Sequence, residues 1–237
     1  MSLLKANRGP EPLWRDWDRK AQKSGLRCTV YSVNGDEYTG EWMNNLMHGK
    51  GKYIYKNDNA IYQGDWIRGK RDGYGTYDVK DADTGEYIRV YAGEWMNDKK
   101  HGTGTYYYIK DECYEGGWEC GKRSGWGKMT YGNGDMYEGE WRNDKHCGQG
   151  ILFLANKNCY EGSFEDGMKH GPGKFYYMDT DRVYDGFWIK DVPKCGTLED
   201  IGYEAMGTRK CPIPKVEMAD PKRVLEEAQR KILQKGE

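Results

Sequence analysis

Histidine and cysteine are the side chains of this sequence best suited to catalysis or metal binding, but their spacing argues against a common site. Three of the four histidines, His48, His101 and His170, recur at the same offset of a repeated segment. They should therefore be spread along the molecule rather than converge on one metal or substrate. His146 and Cys147 are sequence neighbours, which rarely form a site alone. We predict no catalytic residue, no metal site and no bound cofactor.

Two other patterns resemble chemical motifs without meeting their structural requirements. Gly125-Trp-Gly127 mimics the glycines of a phosphate-binding loop, but it lacks the strand-then-helix context and the Gly-Lys-Ser/Thr ending. Carboxylates also recur at one position of the repeat, but paired-carboxylate catalysis would need a pocket. We interpret them as a solvated strand face, and they are Glu41, Asp65, Glu94 and Glu140.

The composition predicts a fold that buries aromatic rings. The chain has 237 residues, with 33 glycines, 20 tyrosines and 9 tryptophans but only 4 phenylalanines. A net charge of −1 argues against nucleic-acid binding, which needs a basic surface. Seven scattered cysteines without a Cys-x-x-Cys pair favour free thiols in a reducing compartment. No apolar stretch suits a membrane span or a signal peptide, so we expect a cytoplasmic protein.

A segment of about 23 residues recurs seven times along the chain. Each copy, here called a unit, begins with Tyr-x-Gly-x-Trp, except that the sixth has phenylalanine for tryptophan. In units one to six a Gly-x-Gly follows at a fixed offset, from Gly49 and Gly51 to Gly171 and Gly173. The leading ring pairs of the seven units are Tyr38 and Trp42, Tyr62 and Trp66, Tyr91 and Trp95, Tyr114 and Trp118, Tyr137 and Trp141, Tyr160 and Phe164, and Tyr184 and Trp188.

Each unit is predicted to form a β-hairpin. Residues at positions i, i+2 and i+4 face the same side of a strand, so the tyrosine, glycine and tryptophan of a unit share a face. Glycines leave room for neighbouring rings, and the rings should therefore form a ladder that is the core of the fold. Because one hairpin is barely stable alone, stacked units must supply that core. Seven hairpins and a starting half-unit give about 15 strands and a length of roughly 70 Å.

These motifs resemble the MORN-repeat family, whose pattern is roughly Tyr-x-Gly-x-Trp followed by His-Gly-x-Gly. The likeness covers residues 26–198 and implies an all-β fold, an elongated single layer of stacked antiparallel hairpins. Asp72, Ser124 and Cys147 stand where the family often has histidine. Unit seven lacks the Gly-x-Gly register in residues 191–197 and is expected to be a degenerate cap.

Short helices are predicted on both sides of the repeat array. Residues 1–25 form a tail with an amphipathic helix, residues 26–198 the array, and residues 199–237 a linker and a C-terminal helix. Residues 12–24 are predicted to form the first helix, which Gly25 should end. Trp14 and Trp17 share a face of this helix, which either covers the first strand edge or docks a partner. Leu225 and Ile232 belong to an apolar stripe of the second helix, which packs back on the array, forms a homodimer or docks in the groove of a partner.

Two functions are compatible with such an array. The favoured one is a non-catalytic scaffold or adaptor that binds and tethers protein partners along an aromatic-rich surface. The family resemblance adds cytoskeletal, flagellar or vesicle-associated settings in developing sperm. The alternative, also implied by the resemblance, is a peripheral membrane module that binds lipids such as phosphoinositides. Residues 38–198 contain 22 Lys and Arg against 25 Asp and Glu, and this net charge of −3 disfavours anionic headgroups.

Overall fold

The structure is a computed structural model, which describes residues 12–108 and 111–201 apart from the side chains of Trp14 and Asp18. Its antiparallel strands form one sheet of fifteen strands in sequential order, which confirms the predicted all-β class and strand number. Strand β1 is the half-unit, and each later pair of strands is one unit. The strands are β1 (Gly25–Tyr31), β2 (Glu37–Met43), β3 (Leu46–Tyr55), β4 (Ala60–Ile67), β5 (Lys70–Lys80), β6 (Tyr87–Met96), β7 (Lys99–Tyr107), β8 (Cys113–Glu119), β9 (Lys122–Thr130), β10 (Met136–Arg142), β11 (Lys145–Phe153), β12 (Cys159–Glu165), β13 (Met168–Tyr177), β14 (Arg182–Ile189) and β15 (Val192–Asp200).

Two-residue turns join the strands of every unit. Both central residues have positive φ in all seven turns, which is the type I′ geometry that matches the twist of a hairpin. Asparagine, aspartate and glycine tolerate this conformation best, and they dominate the positions. The turn residues are Asn44–Asn45, Arg68–Gly69, Asn97–Asp98, Cys120–Gly121, Asn143–Asp144, Asp166–Gly167 and Lys190–Asp191.

A β-bulge follows each turn of units one to six. In unit five, Gly139 pairs with Gly150, but the next residue, Glu140, pairs with Cys147, so the second strand has two extra residues. The first glycine of each Gly-x-Gly, Gly148 in this unit, lies in the bulge with φ of +58°. A residue with a Cβ would be strained there, which explains why this position is glycine in all six units.

The second glycine of each Gly-x-Gly lies beneath the tyrosine ring of its own unit. A Cβ atom on Gly127 would be 2.3 Å from the hydroxyl oxygen of Tyr114. The glycine between the two rings on the first strand, Gly116, is equally confined, because its Cβ would lie 2.5 Å from the Gly127 Cα. The rings of the core therefore rest directly on backbone.

The ring ladder holds neighbouring units together. Tyr114 makes edge-to-face contacts with Trp118 of its own unit and Trp141 of the next, both with ring centres 5.2 Å apart. Each such pair contributes about 0.5–1.5 kcal/mol beyond area burial. The Trp141 indole N–H donates to the Gly127 carbonyl at 3.1 Å, and the Tyr114 hydroxyl donates to the Gly117 carbonyl at 2.9 Å. Both polar groups of the buried rings are thus satisfied.

A short helix, α1 (Leu13–Lys20), precedes the sheet and ends earlier than the sequence predicts. Gln22 has a φ of +46°, which interrupts the helix, and Gly25 begins β1 instead of ending the helix. The side-chain amide of Asn45 donates to the Arg19 carbonyl at 3.1 Å. The end of α1 is therefore tied to the first hairpin turn.

Unit seven forms a hairpin of β14 and β15 although its sequence lacks the Gly-x-Gly register. Gly196 of β15 takes the place of the second glycine, since a Cβ there would lie 2.8 Å from Cζ of Tyr184. Lys194 stands where the first glycine would be. A single glycine is therefore enough to make room for the Tyr184 ring, and the full Gly-x-Gly pair is not required. Every residue of β15 is exposed.

Candidate functional site

The predicted ring ladder lies inside the fold, where it cannot directly contact a partner. Tyr62, Tyr114 and Tyr160 have no exposed surface, and Phe164 occupies the tryptophan position with 5% of its surface exposed. Among the fourteen leading rings, only Trp42 in unit one and Tyr184 in unit seven are half-buried. These rings are therefore structural, and any interaction surface must be made by residues around them.

The four candidate docking residues of the flanking helices are placed only in part. Trp17 on α1 exposes 67% of its surface. The side chain of Trp14 lies outside the described part of the structure, as do Leu225 and Ile232. The docking and homodimer hypotheses for these residues stay predictions.

The histidines do not come together. His101 accepts the Cys120 backbone N–H at 3.5 Å, and His170 lies 3.5 Å from the Glu165 carboxylate. His146 stacks on Tyr137 with ring centres 3.7 Å apart, and its Nε2 is 2.9 Å from the Tyr131 hydroxyl. Burial, together with the charge of Arg123, lowers the pKa of His146 to about 4. His146 is thus a neutral member of the core.

Within residues 12–108 and 111–201, no cluster of three or more histidine, cysteine, aspartate or glutamate side chains could hold a metal ion. Over the same residues, no helix is long and apolar enough to cross a membrane.

The recurring carboxylates are structural, which corrects the interpretation of a merely solvated strand face. Each lies on the face opposite the ring ladder, here called the polar face, and accepts a backbone N–H of the bulge in its own unit. The bonds run to Glu41 from Lys50 at 3.1 Å, to Asp65 from Tyr74 at 2.9 Å, to Glu94 from Thr103 at 3.0 Å and to Glu140 from Gln149 at 3.0 Å. A bulge N–H that would otherwise lack a partner thereby bonds to a charged acceptor.

Units four and six depart from this arrangement in different ways. In unit six, Ser163 replaces the carboxylate, and the bulge residue Pro172 has no N–H to bind. In unit four, Gly117 replaces the carboxylate while Trp126 keeps its N–H. A shallow depression of about 280 Å³ opens here beside Gly125, whose missing Cβ would meet nothing within 4 Å.

A row of cations lies over the ring ladder, on what we call the ring face. The ninth residue after the leading tyrosine is a cation in four units, and each lies above the tryptophan of the next unit. Such contacts contribute about 0.5–2 kcal/mol, more when desolvated. The distances to the ring centres are 4.2 Å for Arg71 over Trp95, 4.2 Å for Lys100 over Trp118, 4.3 Å for Arg123 over Trp141 and 5.5 Å for Lys169 over Trp188.

Half-buried rings of the second strands complete the ring face. In unit three, Tyr106 and Tyr108 lie with ring centres 4.6 Å apart, and the Lys100 ammonium is 4.1 Å from the centre of Tyr106. Tyr108 exposes 38% of its surface. The half-buried rings along the array are Tyr53, Tyr55, Tyr77, Tyr106, Tyr131, Phe175 and Tyr177. The rings and cations together form a strip that repeats along the described part of the array.

Sequence reasoning missed the cation row, and it found the recurring carboxylates without their bonds to the bulge. The signal was present, because the ninth position reads Met, Arg, Lys, Arg, His and Lys through units one to six. Basic residues next to a turn are usually solvated, so this pattern alone does not indicate contact with the rings. Only the pairing register shows that this residue turns inward over the rings.

Comparison with known proteins identifies the repeat. The family model described as MORN repeat matches residues 38–60, 62–81, 91–111, 114–136, 137–159 and 160–182. The chain is similar to proteins named MORN repeat-containing protein 3. It is 60% identical to the one from Xenopus laevis, with 98% of both chains covered, and 53% identical to the one from Homo sapiens, with 96% of this chain and 95% of the relative covered. The Mus musculus relative is 51% identical, with 100% and 99% covered.

Proposed function

Because the chain belongs to the MORN-repeat family, we propose that it is a non-catalytic scaffold that binds and tethers protein partners on its ring face. MORN repeats mediate protein or membrane interactions, and the family is not a known family of enzymes. A repeat array that presents the same residue types in every unit suits an extended partner segment.

The observation that supports this proposal is the strip of half-buried rings and cations on the ring face. Tyr108, with 38% of its surface exposed, lies beside Tyr106 and the Lys100 ammonium. Tyrosine rings bring large rigid contact areas at low entropic cost, and they are enriched at protein interfaces together with arginine. A partner that covered this strip would bury rings that already have a fixed geometry.

Membrane-lipid binding is the less favoured alternative. Arg71 and Arg123 lie on the ring face, but their side chains pair with Asp98 and Asp144 at 3.3 and 3.2 Å. These carboxylates offset the positive charge that anionic headgroups would need. Sedimentation with vesicles that contain phosphoinositides tests this alternative, and binding that withstands physiological salt would favour it.

The proposed setting is the cytoplasm, in association with the cytoskeleton, flagella or vesicles of developing sperm cells. This part of the proposal rests on the family resemblance alone. Tagging the chain in germ cells and finding it confined to another compartment would contradict it.

Site-specific cross-linking tests which face is used. A photo-reactive residue replaces Tyr108 on the ring face, and a matched control replaces Glu115, which is exposed on the polar face. We expect protein adducts from position 108 and few from position 115 after irradiation of cells. Adducts from position 115 alone would show that the polar face, not the ring face, contacts partners.

A further inference from the structure

The residues at the ninth position of units one to six fall into two classes that alternate along the array. In units two, four and six, the second residue of the next hairpin turn is aspartate, and its carboxylate accepts the backbone N–H of the cationic residue. These bonds join Arg71 to Asp98 at 2.9 Å, Arg123 to Asp144 at 3.0 Å and Lys169 to Asp191 at 2.9 Å. The backbone of each cationic residue of the even units is therefore tied to a carboxylate, and the side chains of Arg71 and Arg123 also pair with Asp98 and Asp144, at 3.3 and 3.2 Å.

In the odd units the next turn has glycine at that place. Gly69, Gly121 and Gly167 keep the backbone bond that all turns make, for example from the Gly121 N–H to the Lys100 carbonyl at 2.8 Å. They have no side chain to accompany a cation. At the ninth position, unit one has Met47, which has no charge, and unit five has His146. His146 is neutral at pH 7 because burial lowers its pKa to about 4.

Lys100 of unit three is the one charged residue at the ninth position of units one, three and five. Its ammonium lies 4.1 Å from the ring centre of Tyr106 and 4.2 Å from that of Trp118. Among the described residues no carboxylate is within 4 Å of it, and burial lowers its pKa to about 8, with Asp144 opposing and Arg123 reinforcing that shift. The two ring contacts offset part of the cost of burying half of this ammonium, but no carboxylate among the described residues offsets the rest.

We propose that Lys100 is the point where the ring face binds an aspartate or glutamate side chain of a protein partner. This inference rests on the proposed function and names the chemistry of the partner. The two rings contact the ammonium but cannot accept its N–H groups as an oxygen does, and a carboxylate would supply that acceptor. The bond would form away from bulk water, where a charge-assisted hydrogen bond is strongest. Met47 at the equivalent position of unit one shows that the fold itself does not need the charge.

The test uses the full chain with lysines labelled with ¹³C at Cε, and poly-L-glutamate as the carboxylate probe. The NMR signal that is lost in Lys100→Arg identifies Lys100. We expect poly-L-glutamate to raise the Lys100 pKa by at least about one unit, since an opposite charge within hydrogen-bond distance favours the charged form. An unchanged Lys100 pKa at saturating probe would overturn the proposal.

Matched variants separate this site from general charge attraction. Lys100→Met removes the ammonium and introduces the residue of unit one, whereas Lys99→Met makes the same charge change at the exposed neighbour. Lys100→Met should weaken poly-L-glutamate binding about fivefold or more and Lys99→Met less than about twofold, because only the former loses a desolvated contact. Equal losses would mean nonspecific attraction and would overturn the assignment.

A final arm distinguishes a lipid surface from a protein side chain. If vesicles with 20% phosphatidylserine raise the Lys100 pKa and poly-L-glutamate does not, the occupant is a headgroup and the proposal is wrong. Cross-linking from position 108 remains an independent measurement. Adducts there with an unresponsive Lys100 would refute this inference while leaving the scaffold function intact.

Discussion

The carboxylate of Glu140 accepts the backbone N–H of Gln149 at 3.0 Å across the bulge of unit five. The same bond recurs in units one to three, so the acidic residue before each tryptophan acts on its own hairpin. This position links the repeat motif on the first strand to the bulge on the second. It thereby holds the glycine pair in the geometry that receives the tyrosine ring.

Replacing Glu140 with alanine should therefore destabilise the fold by about 1–2 kcal/mol, because a hydrogen bond to a charged acceptor is lost. Chemical denaturation of the full chain measures the change. Glu115→Ala is the control, since Glu115 is an exposed carboxylate on the same face of unit four. That variant should stay within about 0.5 kcal/mol of the parent, as surface substitutions usually do. Equal effects of the two variants would show that the bulge bond contributes nothing.

Gly127→Ala should be among the most damaging small substitutions. Its Cβ would lie 2.3 Å from the Tyr114 hydroxyl oxygen, so the buried ring would have to leave its place. We expect a loss of at least about 3 kcal/mol, at the upper end for overpacking. The neighbouring Lys128→Ala changes an exposed residue and should leave the melting temperature nearly unchanged. A stable Gly127→Ala variant would mean that the ring is mobile.

The tryptophans of the central units should behave as core residues. Trp95→Ala and Trp118→Ala each remove a buried indole and its bond to a glycine carbonyl of the preceding unit. Each should cost about 3–5 kcal/mol, as large core truncations do. Trp126 has 57% of its surface exposed on the polar face and serves as the control. Equal melting temperatures for Trp95→Ala, Trp118→Ala and Trp126→Ala would contradict a core role for the ladder tryptophans.

Sequence reasoning reached the fold because its determinants are local and repeated. Tyr114, Gly116 and Trp118 share a strand face by their spacing alone, and the repetition supplies the stacking partners. The turn positions follow from the same spacing. The family resemblance was needed only to identify the assembly as one continuous layer.

The surface chemistry could not be predicted in the same way, because it depends on contacts between units. Asp144 bonds to Arg123 across 21 residues, and only the register of strands β9 and β10 places the turn beside the cation. The bulge adds to the difficulty, since it shifts the pairing by two residues within a hairpin. The alternation of side chains along a strand therefore predicts the face of the ring residues correctly. It does not predict the contacts of charged residues next to the bulge.

Self-association through the C-terminal stripe is a further prediction, which rests on the sequence. Leu225 and Ile232 recur at helical spacing on one face, and two-fold pairing is the commonest closed assembly. Light scattering should show a homodimer for the full chain and a monomer for a chain that ends at Cys211. A full-length monomer at tens of micromolar would exclude self-association, whereas a dimer that survives truncation would place the contact on the sheet.

The stability of the chain should decline in mild acid because of His146. Its folded pKa is about 4, whereas an exposed histidine titrates near 6.5. Between these values the unfolded chain binds a proton that the folded chain does not, so the stability falls as the pH drops from about 6.5 to 4. His146→Phe keeps a ring on Tyr137 but cannot titrate, and its melting temperature should fall less between pH 7 and pH 5. Met47→Phe places a ring at the same position of unit one and should retain the pH dependence of the parent. If His146→Phe and the parent lose the same stability over that interval, the buried imidazole is not the group that responds to acid.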